Sequence, residues 1–285
     1  MNGSNQDPVI RSYGRTNPPD MKRHLLTTSA LALLALTACR KETTDPVNND
    51  YTAAIDNSLA ESMFNDMLKQ ADQAAEEGGV RGMMDACIDT IVIDTTVMPR
   101  TMLIDFGTVN CTGQDGRARR GSILVTFTGP YRAVGTVITI TPQDYYVNDH
   151  KVEGSKTVTN LGPNGDGHTQ FSIAVNGTIT APNNAWTSTH AASRVRTWIQ
   201  GEETLTPWDD VYLITGSGSG TNRNGVPYTL TITQALRVEV GCWHVVSGTL
   251  EITPQGLATR YVDFGNGSCD GTVTVTVNGF TFTFG

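Results

Sequence analysis

The sequence predicts a mainly β protein: an antiparallel β-sandwich or β-hairpin array with an internal duplication, preceded by one amphipathic N-terminal helix. Three observations carry this expectation. The 285 residues include 41 Thr, 29 Gly and 12 Pro, with only 17% charged residues, and β-branched Thr favours strands while Gly punctuates turns. Period-two alternation runs through most of the chain after residue 87. A Cys-bounded motif occurs twice. With 20 basic against 28 acidic residues the net charge is -8. That balance argues against nucleic acid as a partner, and the apolar content argues against a disordered chain.

From the N-terminus, Met21 begins a basic segment, Lys22-Arg23-His24, followed by an apolar run from Leu25 to Leu36. Residues 21–38 read as a secretory signal, too short to be a membrane span. Residues 1–20 do not read as a targeting segment and are expected to be an upstream over-reading, with Met21 the true start. The ending Leu36-Thr37-Ala38-Cys39 resembles the bacterial lipobox. That resemblance implies cleavage before Cys39, acylation of its thiol and amino group, and attachment to a membrane through Cys39. Residues 39–50 then form the anchor and tether. Arg40 is not the Asp that retains many lipoproteins at the inner membrane, so the expected location is the outer membrane of a bacterial envelope, on either its periplasmic or its surface face.

Residues 51–78 read as the helix. Ile55, Leu59, Met63, Phe64, Met67, Leu68 and Ala71 recur at three- and four-residue steps. Asp50 or Thr52 can cap its start and Gly78-Gly79 its end. The helix is expected to pack on the β-domain, the alternative being a coiled-coil or partner-binding role.

Residues 84–285 read as the β-rich domain. Ile123, Val125 and Phe127 alternate with Leu124, Thr126 and Thr128. Val273, Val275 and Val277 alternate with Thr residues, and Phe280-Thr-Phe-Thr-Phe284 follows. Asn-Gly pairs at 164–165, 176–177, 224–225, 266–267 and 278–279 are tight-turn signals, several of them expected to join hairpins. The repeat motifs lie at 87–113 and 242–271. One has Cys87, Ile104-Asp105-Phe106-Gly107 and Cys111; the other has Cys242, Val262-Asp263-Phe264-Gly265 and Cys269. With Cys39 acylated, four Cys remain, and three pairings are open to them. The duplication selects Cys87–Cys111 and Cys242–Cys269, since equivalent Cys should pair equivalently. Asp105 and Asp263 are expected to accept backbone N–H bonds in tight turns. An acid/base pair formed by these two Asp is the less favoured alternative.

No HExxH, GxSxG or calcium-loop pattern is present, so no catalytic residue, metal ligand or cofactor is assigned and catalysis is not expected. Trp186, Trp198 and Trp208 cluster within 23 residues, with Arg194, Arg196, Asp209 and Asp210 alongside. Exposed indole faces with charged groups at their margin can stack sugar rings and bond hydroxyls, so these seven residues are the candidate ligand-binding set. Packing of the Trp residues into the core is the competing expectation. The Cys-bounded (I/V)DFG repeat with Thr-rich strands also resembles a set of Bacteroidota envelope lipoproteins. Lys41-Glu42, Asp89-Thr90-Ile91 and Asp94-Thr95-Thr96 resemble that phylum's surface-export and O-glycosylation signals. The resemblance implies a location and no activity. The expected function is therefore non-catalytic binding of a glycan or another envelope component. The alternatives are a structural or adhesive subunit of a surface assembly, or a hydrolase with an unrecognised site.

Overall fold

The computed structural model describes residues 50–76, 87–204, 206–242 and 244–284. The signal, Cys39, the tether and the Gly78-Gly79 stop lie outside them. One helix, α1 (Thr52–Glu76), precedes fourteen strands. The first seven are β1 (Thr90–Asp94), β2 (Arg100–Asp105), β3 (Cys111–Thr112), β4 (Ala118–Phe127), β5 (Val137–Val147), β6 (His150–Pro163) and β7 (Thr169–Thr180). The rest are β8 (Thr187–Gln200), β9 (Val211–Thr221), β10 (Pro227–Glu239), β11 (Val245–Pro254), β12 (Arg260–Asn266), β13 (Val273–Val277) and β14 (Phe280–Phe284). They form one antiparallel sheet in which paired strands are neighbours in sequence, except that β2 pairs with β4, whose start also pairs with the short β3. The connectivity is that of a hairpin array.

The alternation seen in sequence sets which side chains enter the core. Ile123, Val125 and Phe127 of β4 are buried while Leu124 and Thr126 are half-buried. Where a strand bends, a bulge takes up the change. Gly121, at φ +85°, lies in the β4–β5 register shift, and a Cβ there would come within 2.0 Å of the Asp144 carbonyl oxygen. Only a glycine permits that approach. Asn278-Gly279 joins β13 to β14 with both residues at positive φ, and Asn148-Asp149 joins β5 to β6 in the same way. Such two-residue turns match the twist of the flanking strands. Asn176-Gly177 is not a turn. It lies inside β7, where Gly177 leaves room for the Phe64 ring.

Asp50 caps the helix by accepting the Thr52 N–H at 2.8 Å. Met63, Phe64, Met67, Leu68 and Ala71 are buried among residues of β2, β4, β5, β6 and β7. A second cluster joins Ala53 to Tyr228, Leu230, Leu250, Ile252, Val262 and Val275. Ile55 is 57% exposed, against the sequence expectation. At 100° per residue it lies on the side of the helix opposite Phe64. The buried positions extend past the apolar stripe to Asp56, Asn57, Asp66 and Gln70, so the sheet wraps the helix.

Asp56 and Asp66 have partners in the β-domain, as do the less buried Asn65 and Asp72. Asp56 Oδ1 accepts from Arg223 Nε at 2.8 Å. Asp66 Oδ2 accepts from Arg119 Nε at 3.0 Å and from the Tyr145 hydroxyl at 3.2 Å. Asn65 Oδ1 accepts from Lys156 Nζ at 2.6 Å, and Asp72 from the Tyr131 hydroxyl at 3.0 Å. A buried charge is tolerated only when paired and hydrogen-bonded, so these contacts fix the rotation and register of the helix.

Two disulfides are formed, Cys87–Cys111 and Cys242–Cys269. In both motifs the Asp accepts the N–H of the Gly two residues on, Asp105 from Gly107 and Asp263 from Gly265, each at 2.8 Å.

Candidate functional site

The site grows from β8. Strand periodicity puts Arg194, Arg196 and Trp198 on one face, the face turned to the helix. Their surroundings differ. Arg194 is 7% exposed. It donates to Glu61 Oε1 at 2.8 Å and to the Ser217 carbonyl. Glu61 also lies 3.5 Å from His190 Nε2. Burial alone would raise the Glu61 pKa, but His190, Arg194 and Lys156 outweigh it and hold the carboxyl down to about 2. Arg194 therefore docks the helix and takes no part in an open site.

Arg196 and Trp198, one and two steps further along this face, line a cavity of about 60 Å³. Leu68 and Asp72 of the helix close one side of it. Tyr131, Arg132 and Thr136 from the β4–β5 loop, with Phe171 and Tyr212 from β7 and β9, supply much of the rest. The Arg196 guanidinium lies 4.9 Å from the Phe171 ring centre and 4.7 Å from that of Tyr212. Trp198 packs against Tyr212 with centroids 5.6 Å apart. Register explains the grouping: Phe171 stands opposite Arg196, and Tyr212 opposite Trp198. The Tyr212 hydroxyl donates to Asp210 Oδ2 at 3.0 Å. Burial pushes the Asp210 carboxyl pKa up and, more strongly, that of the Tyr212 phenol, so the phenol keeps its proton and its donor role.

The remaining candidates lie apart. Trp186 is half-buried, with the Arg223 guanidinium 4.0 Å above its ring and His150 beside it. It serves as a packing surface. Trp208 is 65% exposed on a 3-10 turn, Pro207–Asp209, and is not among the cavity residues. Asp209, also exposed, accepts from the Thr204 hydroxyl at 2.9 Å. The expected set of seven thus divides: Arg196 and Trp198 form the cavity, Asp210 orients one wall, and Trp186, Arg194, Trp208 and Asp209 act elsewhere. Tyr131, Arg132, Phe171 and Asp72 are additions that sequence spacing does not supply. They come from a loop, another strand and the helix, and only strand register or helix docking brings them to β8.

A second, wider depression lies over the Cys242–Cys269 loop, where Asp263 and Asp270 are both present. Each of these carboxylates already accepts a backbone N–H, from Gly265 and Thr272 respectively. Among the described residues no group of three or more His, Cys, Asp or Glu is placed to hold a metal ion.

Fold and site together define an antiparallel β-meander wrapped on a helix, with one cavity walled by aromatic rings and arginine. Comparison with protein-family models, with curated proteins and with solved structures finds no match.

Proposed function

We propose that this is a lipid-anchored protein of a bacterial envelope that binds an envelope glycan, without catalysis, at the cavity between α1 and β8. The observation that carries the binding reading is the grouping of Trp198, Tyr212, Phe171 and Tyr131 around the Arg196 guanidinium. Aromatic walls with a few placed polar groups are the usual make-up of a small-ligand site. A location outside the cytoplasm is supported by the two disulfides, which persist in oxidising compartments. No described helix is long and apolar enough to cross a membrane, and attachment through Cys39 would supply the membrane contact instead.

The binding test is a glycan array probed with the disulfide-intact chain carrying Cys39→Ser, alongside Trp198→Phe, Tyr212→Ala and Trp208→Ala. Loss of binding in the first two variants with retention in the third supports the site. An array with no bound glycan overturns the reading. Anchoring is tested by palmitate labelling, which Cys39→Ser should abolish.

The open ends of the sheet favour one second reading, an assembly subunit. Among the described residues β1 and β14 each pair on one side only, and Phe280 and Phe284 of β14 are 55% and 48% exposed. Unpaired apolar edges recruit other strands. Sedimentation analysis separates the two readings, since an assembly subunit would self-associate and lose that association in Phe280→Glu.

A further inference from the structure

We infer that the cavity between α1 and β8 takes an acidic group, a carboxylate or sulfate carried on the ligand, with Arg196 as its anchor. The acid site stands on the cavity alone; only the assignment of the acid's carrier as a glycan rests on the reading above.

Arg117, Arg119, Arg120, Arg194, Arg223 and Arg237 each meet a carboxylate. Arg196 departs from that pattern. Among the described residues its side chain has no hydrogen bond and no ion pair, and its Nε is buried without a partner. Arg100 also leaves Nε unpartnered, but it is not among the residues of either cavity. An unpaired buried donor costs stability, and a native structure that keeps one calls for a reason. Here the guanidinium lies over the Phe171 and Tyr212 rings, which leaves its N–H groups as the directional feature. That planar fork suits a two-oxygen acid better than a hydroxyl.

Most neighbouring polar groups are already committed, the Trp198 indole N–H being the exception. The Thr136 hydroxyl donates to the Pro130 carbonyl, Asn160 donates to the Arg132 carbonyl and accepts from Gly162 N–H, and the Tyr131 and Tyr212 hydroxyls donate to Asp72 and Asp210. A neutral sugar would find few free partners. The lining carries two guanidinium groups, Arg196 within and the exposed Arg132 at the mouth, against one carboxylate, Asp72. Lys156, fully buried nearby, adds positive charge when protonated. Asp210 beside Tyr212 and Glu61 facing Lys156 add negative charge behind the wall, so the positive excess belongs to the lining itself, in a chain whose net charge is -8.

Size sets the last limit. A cavity of about 60 Å³ has room for about two waters and is well below the roughly 150 Å³ that admits a benzene ring. A carboxylate or sulfate fits and a hexose ring does not. The ring would stay at the mouth, beside Tyr131 and Arg132.

The test uses the disulfide-intact full chain with Cys39→Ser. Acetate, sulfate and glucuronate are titrated against glucose as the neutral counterpart, following the Arg196 Nε–Hε resonance by NMR. Saturable shifts with the acids, and at least about tenfold tighter binding of glucuronate than of glucose, are expected from one charge-assisted pair. Arg196→Gln should remove the acid response, and Arg196→Lys should weaken it by losing the fork. The wild-type resonance reports binding directly, so a variant that fails to fold leaves the test intact. Equal binding of glucuronate and glucose overturns the inference, as does acid binding that survives in folded Arg196→Gln. Acetate and sulfate shifts that never saturate, with glucuronate no tighter, mean an adventitious ion only and also overturn it. Neutral glycans captured on the array without preference for acids would reject the acid site and keep the glycan reading. Saturable acid binding with an empty array would do the reverse.

Discussion

Lys156 is 1% exposed beneath the helix. Burial holds its ammonium pKa down to about 8, against an ordinary value of 10.5. Between those two values the unfolded chain binds more protons than the folded one, so stability should rise as pH increases through that window. Lys156→Met should abolish the rise, which urea melts at pH 7, 9 and 10 would reveal. Glu61 works in the opposite range. Its folded pKa of about 2 lies below the ordinary 4.5, so the stability it contributes is present above pH 4.5 and drains away as pH falls towards 2. Asp66 is a third case. Asp66→Ala takes from the fully buried Arg119 one of the carboxylates it pairs with, and a broken buried pair should cost about 3 kcal/mol in a denaturant titration. None of these three roles is legible in sequence. Helical periodicity marks Met63, Phe64 and Met67 as core, but it assigns Glu61 and Asp66 to solvent. Their burial follows from strands lying more than 50 residues away.

At the scale of elements, Gly177 joins β7 to α1. A Cβ there would lie 2.2 Å from the Phe64 ring and 2.4 Å from the Glu153 carbonyl oxygen. Gly177→Ala should therefore destabilise by about 1–3 kcal/mol through overpacking. Adding Phe64→Leu should recover only part of the loss, because the carbonyl contact remains; a double-mutant cycle measures this. The same glycine shows where reading turns from sequence stops. Asn164-Gly165, Asn224-Gly225 and Asn278-Gly279 do fall between strands, since nothing else competes for those glycines. Asn176-Gly177 has the same letters and serves a packing contact. The β5–β6 turn uses Asn148-Asp149, whose left-handed pair carries no glycine. The candidate cavity was legible along β8 alone, as Arg196 and Trp198. Its other walls depend on register, which no single strand encodes.

For the whole molecule, the disulfide pairing was legible because each of the equivalent motifs at 87–113 and 242–271 carries its own pair of Cys. Each bridge closes a loop of 24 or 27 residues, which should contribute about 3 kcal/mol in the chain-entropy model. For a chain of this size, the paired change Cys87→Ser and Cys111→Ser should then lower Tm by about 6–12 °C in a calorimetric scan. The meander also has a consequence for the order of synthesis. Its hairpins can form as each pair of strands leaves the ribosome or the translocating pore, because partners are sequential. The helix is made first, yet it is completed last. The Tyr51 ring rests edge-on against Phe282 and Phe284, and Asp50 offers its carbonyl to Arg260. Until the final hairpin is made, Tyr51 lacks the two rings it rests against. A chain stopped short of Phe280 would hold a nearly complete sheet around a helix still pinned through Ala53 and Arg260, with the two rings beside Tyr51 missing.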